Sequence, residues 1–268
     1  MTPVAVLITI APYFLILFTI SYIAGRKADN EGFFVGNRKS AWYVVAFAMI
    51  GSSISGVTFV SVPGMVGISN FSYLQMVLGF VTGQIIIAFV LIPLFYRMNL
   101  VSIYEYLENR FGTSSYKTGA WFFFISKILG AAVRLYLVCL TLQLLVFEPF
   151  HMPFIMNVIL TVALVWLYTF RGGVKSLIWT DSLKTFCLIV SVVLCIYYIS
   201  TDLKLSFTEM FSTVSDSALS HMFFFDNVND KRYFFKQFLA GVFTMIAMTG
   251  LDQDMMQRNL SCKNFKDS

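Results

Sequence analysis

A cluster of small and hydroxyl-bearing residues stands in the middle of an apolar segment, in the stretch AMIGSSISGVTFVSVPG at 48–64. Within a bilayer every backbone carbonyl needs a partner, and two interpretations of the GSSISG core at 51–56 stay open. Small residues let two helices approach closely. They are also typical of a helix that unwinds at mid-membrane, where freed carbonyl oxygens bind a cation. The chemistry in question is therefore the binding of a small cation.

A single acidic residue, Asp181, follows RGGVKSLIWT inside another apolar run. A lone carboxylate in the bilayer costs a few kcal/mol and is seldom retained without a role. Lys184 stands three residues further on, close enough on a helix to form an ion pair. We interpret Asp181 either as a relay for a cation or as half of a local salt bridge, and one carboxylate is able to serve both.

Two basic residues, Lys127 and Arg134, lie seven positions apart in a further apolar run and so share a helix face. Lys127 is close enough to the end of the run for its ammonium to extend to the membrane surface. Arg134 is nearer the middle, where its planar guanidinium suits a carboxylate or another anion. The alternative is an internal pair with backbone carbonyls or with an acid elsewhere in the protein.

The remaining polar residues do not indicate an enzyme. The stretch TGLDQDMMQR at 249–258 closes the last apolar run, and a structural polar end is favoured over a gate. The sequence shows no metal-ligand cluster, nucleophile elbow or phosphate-binding loop. Cys139, Cys187, Cys195 and Cys262 have no C-x-x-C spacing and are interpreted as buried thiols.

The composition indicates a polytopic membrane protein. Of the 268 residues, 58% are hydrophobic and only 12% are charged, against about a quarter charged in an ordinary soluble domain. So few charges do not cover a soluble surface. The formal net charge of +5 shows no pattern typical of nucleic-acid binding, and the sequence does not indicate an oligomeric state.

Seven apolar runs are candidates to cross the roughly 30 Å of hydrocarbon in a bilayer. The predicted helices span about 4–25, 41–68, 72–96, 117–147, 154–170, 176–200 and 233–251, with the second broken near 51–56. We expect them to form a single all-α transmembrane domain over 1–268. Lys and Arg are concentrated after the odd-numbered runs, so the positive-inside rule predicts an outside N-terminus and a cytoplasmic residue 268.

Two loop segments, at 102–112 and 207–219, show the periodicity of amphipathic helices. Such helices lie along the membrane interface or pack as the feet of a helix bundle. The second of these interpretations is favoured.

Four segments occur in order over nearly the whole chain: GFFVGNRKSAWYVVAFAMIGSSISGVTFVSVPG, EYLENRFG, RGGVKSLIWTD and GLDQDMMQRNLSCK. Together they resemble the sodium:solute symporter family, which includes sodium-coupled sugar, proline, sialic acid and monocarboxylate carriers. The resemblance implies a leucine-transporter-type inverted-repeat fold. One extra helix would precede the first five-helix repeat, and the seventh helix would open the second repeat. Family members are longer, so we expect this chain to be the N-terminal, incomplete part of a transporter.

The resemblance also implies a sodium site. Backbone carbonyls at Gly51 and Ile54 match family positions that bind Na⁺, and the remaining ligands belong to a later helix, which leaves the site incomplete here. Asp181 matches a family aspartate on the inward exit path of sodium. Na⁺ would be the coupling ion, with no further cofactor.

Two departures from the family pattern affect these expectations. Lys184 replaces a usual glutamine, and a cation beside Asp181 would weaken or replace sodium there. The positions that contact sugar in the family's sugar carriers are not preserved, which disfavours a sugar, and an organic acid with Arg134 as counter-charge fits better. The candidate substrate-binding residues are Ser53, Thr58, Leu74, Arg134, Met245 and Met248.

The sequence therefore predicts a sodium-coupled secondary symporter of a small organic solute, with an organic anion as the favoured class, working by alternating access. It would be a multi-pass protein of a bacterial-type inner or plasma membrane. Its partners would be the solute, Na⁺ and the lipid bilayer, with no nucleic acid. Two alternatives stay open: a transporter-like membrane sensor or interaction module, and a non-functional truncated fragment.

Overall fold

The computed structural model describes residues 3–25, 40–100, 102–169 and 173–268. In chain order its helices are α1 (Pro3–Gly25), α2 (Trp42–Ser53), α3 (Gly56–Ser69), α4 (Tyr73–Ile86), α5 (Ile92–Arg97), α6 (Ile103–Phe111), α7 (Thr113–Leu142), α8 (Phe154–Thr169), α9 (Gly173–Asp202), α10 (Phe207–Ser215), α11 (Phe234–Met245) and α12 (Gln253–Asn259). Single π-helical turns follow α4, α7 and α11, at Ile87–Leu91, Gln143–Phe147 and Ile246–Gly250. The start of the first family-like segment, 32–39, and residue 170 of the fifth predicted helix lie outside the described residues.

Several of these helices are membrane-spanning in length and composition. Within the described residues, four apolar helical stretches are long enough to cross a bilayer: Pro3–Ile23, Gly56–Arg97, Thr113–Phe150 and Ser176–Asp202. A fifth is formed if Phe234–Gly250 and Gln253–Asn259, which meet at a bend of 73°, count as one broken span. The all-α membrane class expected from composition is confirmed.

The chain divides into two units. The first comprises residues 1–40 and 100–180, and the second comprises residues 41–99 and 181–268. Helix α9 contributes its first residues to one unit and the residues from Asp181 onward to the other. The candidate cation-binding residues belong to the second unit.

In the first unit, buried Asn157 joins α8 to α7. Its amide nitrogen donates to the carbonyl of Cys139 at 2.7 Å and lies 3.3 Å from the side-chain oxygen of Gln143. Its amide oxygen accepts from the hydroxyl of Thr161 at 3.2 Å. A buried amide is costly unless its donors and acceptor are paired, so these bonds specify how the two helices meet.

Helix α6, within the segment predicted as amphipathic, packs against α7 in the same unit. A Cβ added at Gly119 would lie 3.0 Å from the Tyr104 ring and 3.2 Å from Leu107. The Tyr104 and Phe123 rings are 5.6 Å apart. The absence of a side chain at Gly119 therefore lets α6 lie close on α7, as expected of a packing element.

In the second unit, α4 and α11 touch backbone to backbone through glycines. A Cβ added at Gly79 would lie 2.9 Å from the Cα of Gly241 and would collide with the carbonyl of Phe238. One turn further, a Cβ at Gly83 would lie 2.8 Å from that of Met245. The spacing of Gly79 and Gly83 is the G-x-x-x-G pattern that allows close contact between membrane helices. These two helices form the packed frame of the unit.

The loop between α10 and α11 is hydrogen-bonded to the start of α4. Buried Gln75 donates to the carbonyl of Arg232 at 2.8 Å and accepts from the backbone N–H of Phe224 at 3.1 Å. The Arg232 guanidinium lies 4.4 Å from the centre of the Phe224 ring, and Asn70 donates to the carbonyl of Ala218 at 3.1 Å. This loop is therefore an ordered part of the unit.

Candidate functional site

The chain breaks its helix between α2 and α3. Helix α2 ends at Ser53 and α3 begins at Gly56, and the two linking residues are extended, Ile54 at φ −93°, ψ 124° and Ser55 at φ −107°, ψ 165°. The N–H of Ile54 donates to the carbonyl of Ile50 at 2.9 Å and completes the ladder of α2. The carbonyls at 51–53 therefore lie beyond that ladder, because the last carbonyls of a helix have no helical partner.

Hydroxyl groups stabilise both sides of the break. The Ser55 side chain accepts from the N–H of Thr58 at 3.3 Å, which caps α3, and lies 3.1 Å from the Thr58 hydroxyl. The Ser53 hydroxyl donates to the carbonyl of Met49 at 2.9 Å. A side-chain cap of this kind satisfies N–H groups that a new helix start leaves open, so the chain can leave and re-enter the helix without losing all its bonds.

Helix α2 lies against α9 along the turn that leads to the break. The Thr185 hydroxyl donates to the carbonyl of Phe47 at 2.6 Å, and the Ser182 hydroxyl donates to that of Val44 at 3.2 Å. A Cβ at Gly51 would collide with the carbonyl of Asp181 and the hydroxyl of Thr185. Gly51 therefore has a packing role, which was one of the two interpretations of the small residues.

Asp181 lies at the centre of a buried ionic cluster. Its Oδ1 is 2.7 Å from Nζ of Lys184, and its Oδ2 is 2.9 Å from Nη2 of Arg258 and 3.0 Å from the hydroxyl of Ser52. Arg258 also holds Asp254 at 2.7 Å. The Asp181 and Arg258 side chains are 4% and 8% exposed, so their charges interact in a medium that screens them weakly. The local salt bridge with Lys184 is present, within a larger network.

Two buried donors at α12 stand out within the described residues. The Nε of Arg258 and the side-chain nitrogen of Asn259 have no hydrogen-bond partner there. The Arg258 side chain directs its two terminal nitrogens to carboxylates. The ion pairs with Asp181 and Asp254 therefore fix the position of the Arg258 side chain, although its Nε makes no hydrogen bond within the described residues.

The predicted substrate residues lie at several places. Ser53 and Thr58 flank the break, while Leu74 is the second residue of α4 and is exposed. Met245, whose sulfur accepts from the Thr249 hydroxyl at 3.1 Å, and exposed Met248 lie at the end of α11 and in its π-helical turn.

Arg134 lies on α7, in the first unit, and is exposed. Its Nε donates to the carbonyl of Gly130 at 3.0 Å. Lys127, on the same helix, lies with its ammonium 5.5 Å from the centre of the Phe123 ring.

Sequence reasoning missed three features of the second unit. The pair of Asp181 with Arg258 joins residues 77 positions apart and has no local signal. The Gly79–Gly83 spacing was a signal that a search for small-residue motifs would have found. Thr185, one turn after Asp181, would have been found by asking which hydroxyls share its helix face.

The fold and the comparisons together define the class of protein: an all-α membrane protein with the leucine-transporter-type fold. The chain matches the sodium:solute symporter family model over residues 33–268 and belongs to that family. A solved structure described as the substrate-bound outward-open state of a Na⁺-coupled sialic acid symporter aligns with a TM-score of 0.81 at 22% identity, covering 99% of this chain and 55% of that one. That similarity confirms the fold.

Two relatives illustrate the range of the family. The human sodium-coupled monocarboxylate transporter 2 is 27% identical over 243 residues, which are 90% of this chain and 38% of that protein. The sodium/sialic acid symporter NanT of Aliivibrio fischeri is 30% identical over 192 residues, which are 71% of this chain and 37% of that protein. This chain thus spans less than two fifths of the length of either relative.

Proposed function

We propose that this protein is a sodium-coupled secondary symporter of a small organic solute and that the solute is an organic anion. The observation that carries the proposal is the extended link at Ile54 and Ser55, which interrupts an apolar helix and ends its carbonyl ladder at Ile50. Broken helices in transporters commonly use such freed carbonyls to coordinate the coupling ion. The carbonyls of Gly51 and Ile54 would be part of the ligand set for Na⁺.

Sodium at the break would couple to transport through the conformation of the protein. An ion that binds one state more tightly than another shifts the population towards the favoured state. Because Gly51 packs directly on α9, an ion held by the last turn of α2 would act on the contact between these helices. Sodium bound there would favour the outward-open state and thereby prepare the solute site.

The proposed solute class rests on Arg134 and on the known relatives. A guanidinium has five N–H donors in a planar fork, and one bond to its own helix leaves donors for a carboxylate. Monocarboxylates and sialic acid, the solutes named for the two relatives, both carry a carboxylate. The candidate contacts are Ser53, Thr58, Leu74, Met245 and Met248, with Arg134 as counter-charge.

We also infer that the protein resides in the cell membrane, with its N-terminus outside and residue 268 in the cytoplasm. The support is the distribution of Lys and Arg among the loops, read by the positive-inside rule. Cysteine-accessibility labelling of tails in intact cells tests the orientation: a cysteine placed near Met1 should react with an impermeant reagent and one at Ser268 should not.

The test of the symport proposal is uptake by the purified protein in proteoliposomes with an imposed inward sodium gradient. The probes are labelled pyruvate, lactate and N-acetylneuraminate, with glucose as a neutral control. We expect accumulation of at least one acid above its equilibrium level, abolished when potassium replaces sodium or when a sodium ionophore is added. No accumulation of any probe under the gradient refutes sodium coupling, whereas sodium-dependent accumulation of glucose alone refutes only the solute class.

The role of Arg134 is tested in the same assay. Arg134→Gln should lose uptake of carboxylates, and Arg110→Gln, at an exposed arginine on α6, should retain it. Both proteins should elute as folded species of the same size. Carboxylate uptake by Arg134→Gln at the unchanged rate would remove the counter-charge role and leave sodium coupling untouched.

A further inference from the structure

Both carboxylate oxygens of Asp181 contact donor groups from the described residues. One carboxylate oxygen lies 2.7 Å from the Lys184 ammonium. The other lies 2.9 Å from Arg258 and 3.0 Å from the Ser52 hydroxyl, which is equally close to the carbonyl of Ala48. The carboxylate side chain is only 4% exposed. A sodium ion reaching Asp181 would therefore compete with these groups for the carboxylate.

The charges of the four ionic side chains in this cluster balance. Asp181 and Asp254 carry two negative charges, and Lys184 and Arg258 carry two positive charges. A balanced cluster attracts a mobile cation weakly, because the Coulomb terms from the two signs oppose each other at short range. Removing the Lys184 ammonium would leave these described side chains with one more negative than positive charge.

The two basic residues of the cluster differ in how firmly they are held. Arg258 is 8% exposed and joins two carboxylates, so it is a structural tie between α9 and α12. Lys184 lies on the same helix as Asp181, three residues away, and its side chain is 37% exposed. Replacing Lys184 by a neutral residue leaves the pair of Asp181 with Arg258 in place, and the carboxylate oxygen that Lys184 contacts would become available.

We propose that Lys184 is a tethered cation that takes the place of a sodium ion at Asp181. This inference rests on the proposed sodium coupling and adds its stoichiometry: sodium binds at the α2–α3 break and does not bind at Asp181. Lys184 thereby determines how many ions the protein binds. A neutral residue of similar length at 184 would turn the Asp181 carboxylate, with the Ser52 hydroxyl beside it, into an added sodium site.

The experiment measures equilibrium binding of radioactive sodium to the purified protein, with sodium-dependent thermal stabilisation as a second readout. Lys184→Gln should bind one more sodium ion per protein than the wild type and should gain a larger increase in melting temperature on adding sodium in place of choline. Lys184→Arg, which keeps the charge, should match the wild type. Lys184→Gln combined with Asp181→Asn should lose the added ion.

Asp181→Asn in the otherwise unchanged protein supplies an independent result. It should bind as many sodium ions as the wild type, because Asp181 is no sodium ligand while Lys184 occupies it. The inference is overturned if Asp181→Asn binds one ion fewer, or if a folded Lys184→Gln protein binds no more than the wild type. A wild type that binds no sodium refutes the coupling proposal, and an added ion in Lys184→Gln would still support the role of Lys184.

Discussion

The replacement of Arg258 by methionine tests whether the buried ionic cluster stabilises the second unit. Methionine keeps much of the length of the side chain and removes its charge. In the wild type Arg258 joins Asp181 at 2.9 Å and Asp254 at 2.7 Å while being 8% exposed. Breaking a buried pair costs roughly 3–5 kcal/mol, because a charge is left in a poorly solvated position. Since Lys184 still holds Asp181 at 2.7 Å, we expect the lower end, about 3 kcal/mol.

The assay is reversible unfolding in mixed detergent micelles, followed by tryptophan fluorescence. Arg110→Met is the matched control, because Arg110 is exposed and bonded to the neighbouring Tyr106 hydroxyl. Surface substitutions of that kind change stability by about 0.5 kcal/mol or less. Asp181→Asn combined with Arg258→Met should cost less than the sum of the two single changes, with a coupling energy of about 1–3 kcal/mol.

Stabilisation by the buried pair is refuted if Arg258→Met is no less stable than Arg110→Met. It is also refuted if the Asp181 and Arg258 substitutions add without coupling. Either result would mean that the pair is formed at no net gain, as happens when the cost of removing two charges from water cancels their attraction.

Three further predictions concern backbone contacts and thiol chemistry. Gly51→Ala should destabilise the protein by roughly 1–3 kcal/mol in the same unfolding assay, because its Cβ would collide with α9. The control is Gly64→Ala, whose Cβ meets no atom within 4 Å and which should cost clearly less. Equal costs for the two variants would contradict the contact between Gly51 and α9. Gly79→Ala should also destabilise the protein by roughly 1–3 kcal/mol, since its Cβ would lie too close to Gly241. An unfolding midpoint equal to that of Gly64→Ala would show that α4 and α11 are not in close contact. Burial, with a smaller effect of the nearby Asp267 carboxylate, raises the pKa of the Cys262 thiol from 9.0 to about 11. Because the unfolded thiol ionises at lower pH than the folded one, the free energy of unfolding should fall as pH rises from 9.0 to about 11. Cys262→Ser should remove that part of the alkaline slope, and an unchanged slope would show that the thiol titrates normally in the folded protein.

The general class of this protein was accessible from the sequence because it depends on local composition. Long apolar runs with few charges are compatible with helices in a bilayer and with little else. The four family-like segments led to the sodium:solute symporters, which the match over 33–268 confirms. The fold class is confirmed by a structural similarity at TM-score 0.81.

The partners of individual residues were not accessible in the same way. Local spacing suggested Lys184 as a partner of Asp181, and that pair is present at 2.7 Å. Local spacing did not predict the contact with Arg258, because the sequence of one helix does not specify which residue from a distant helix will pack against it. For the same reason the sequence left open whether Gly51 serves packing or ion binding, and α9 lies directly against it.

The sequence by itself determined that the chain forms apolar helices in a membrane, because hydrophobic burial and backbone bonding act over a few neighbouring residues. Its four family-like segments indicated the family by resemblance. Only the tertiary structure decided that the Asp181 carboxylate is enclosed by two cations and a hydroxyl from three helices. That arrangement depends on the close approach of α2, α9 and α12, since charges separated by many residues interact strongly only when folding brings them within a few ångströms in a weakly screening interior.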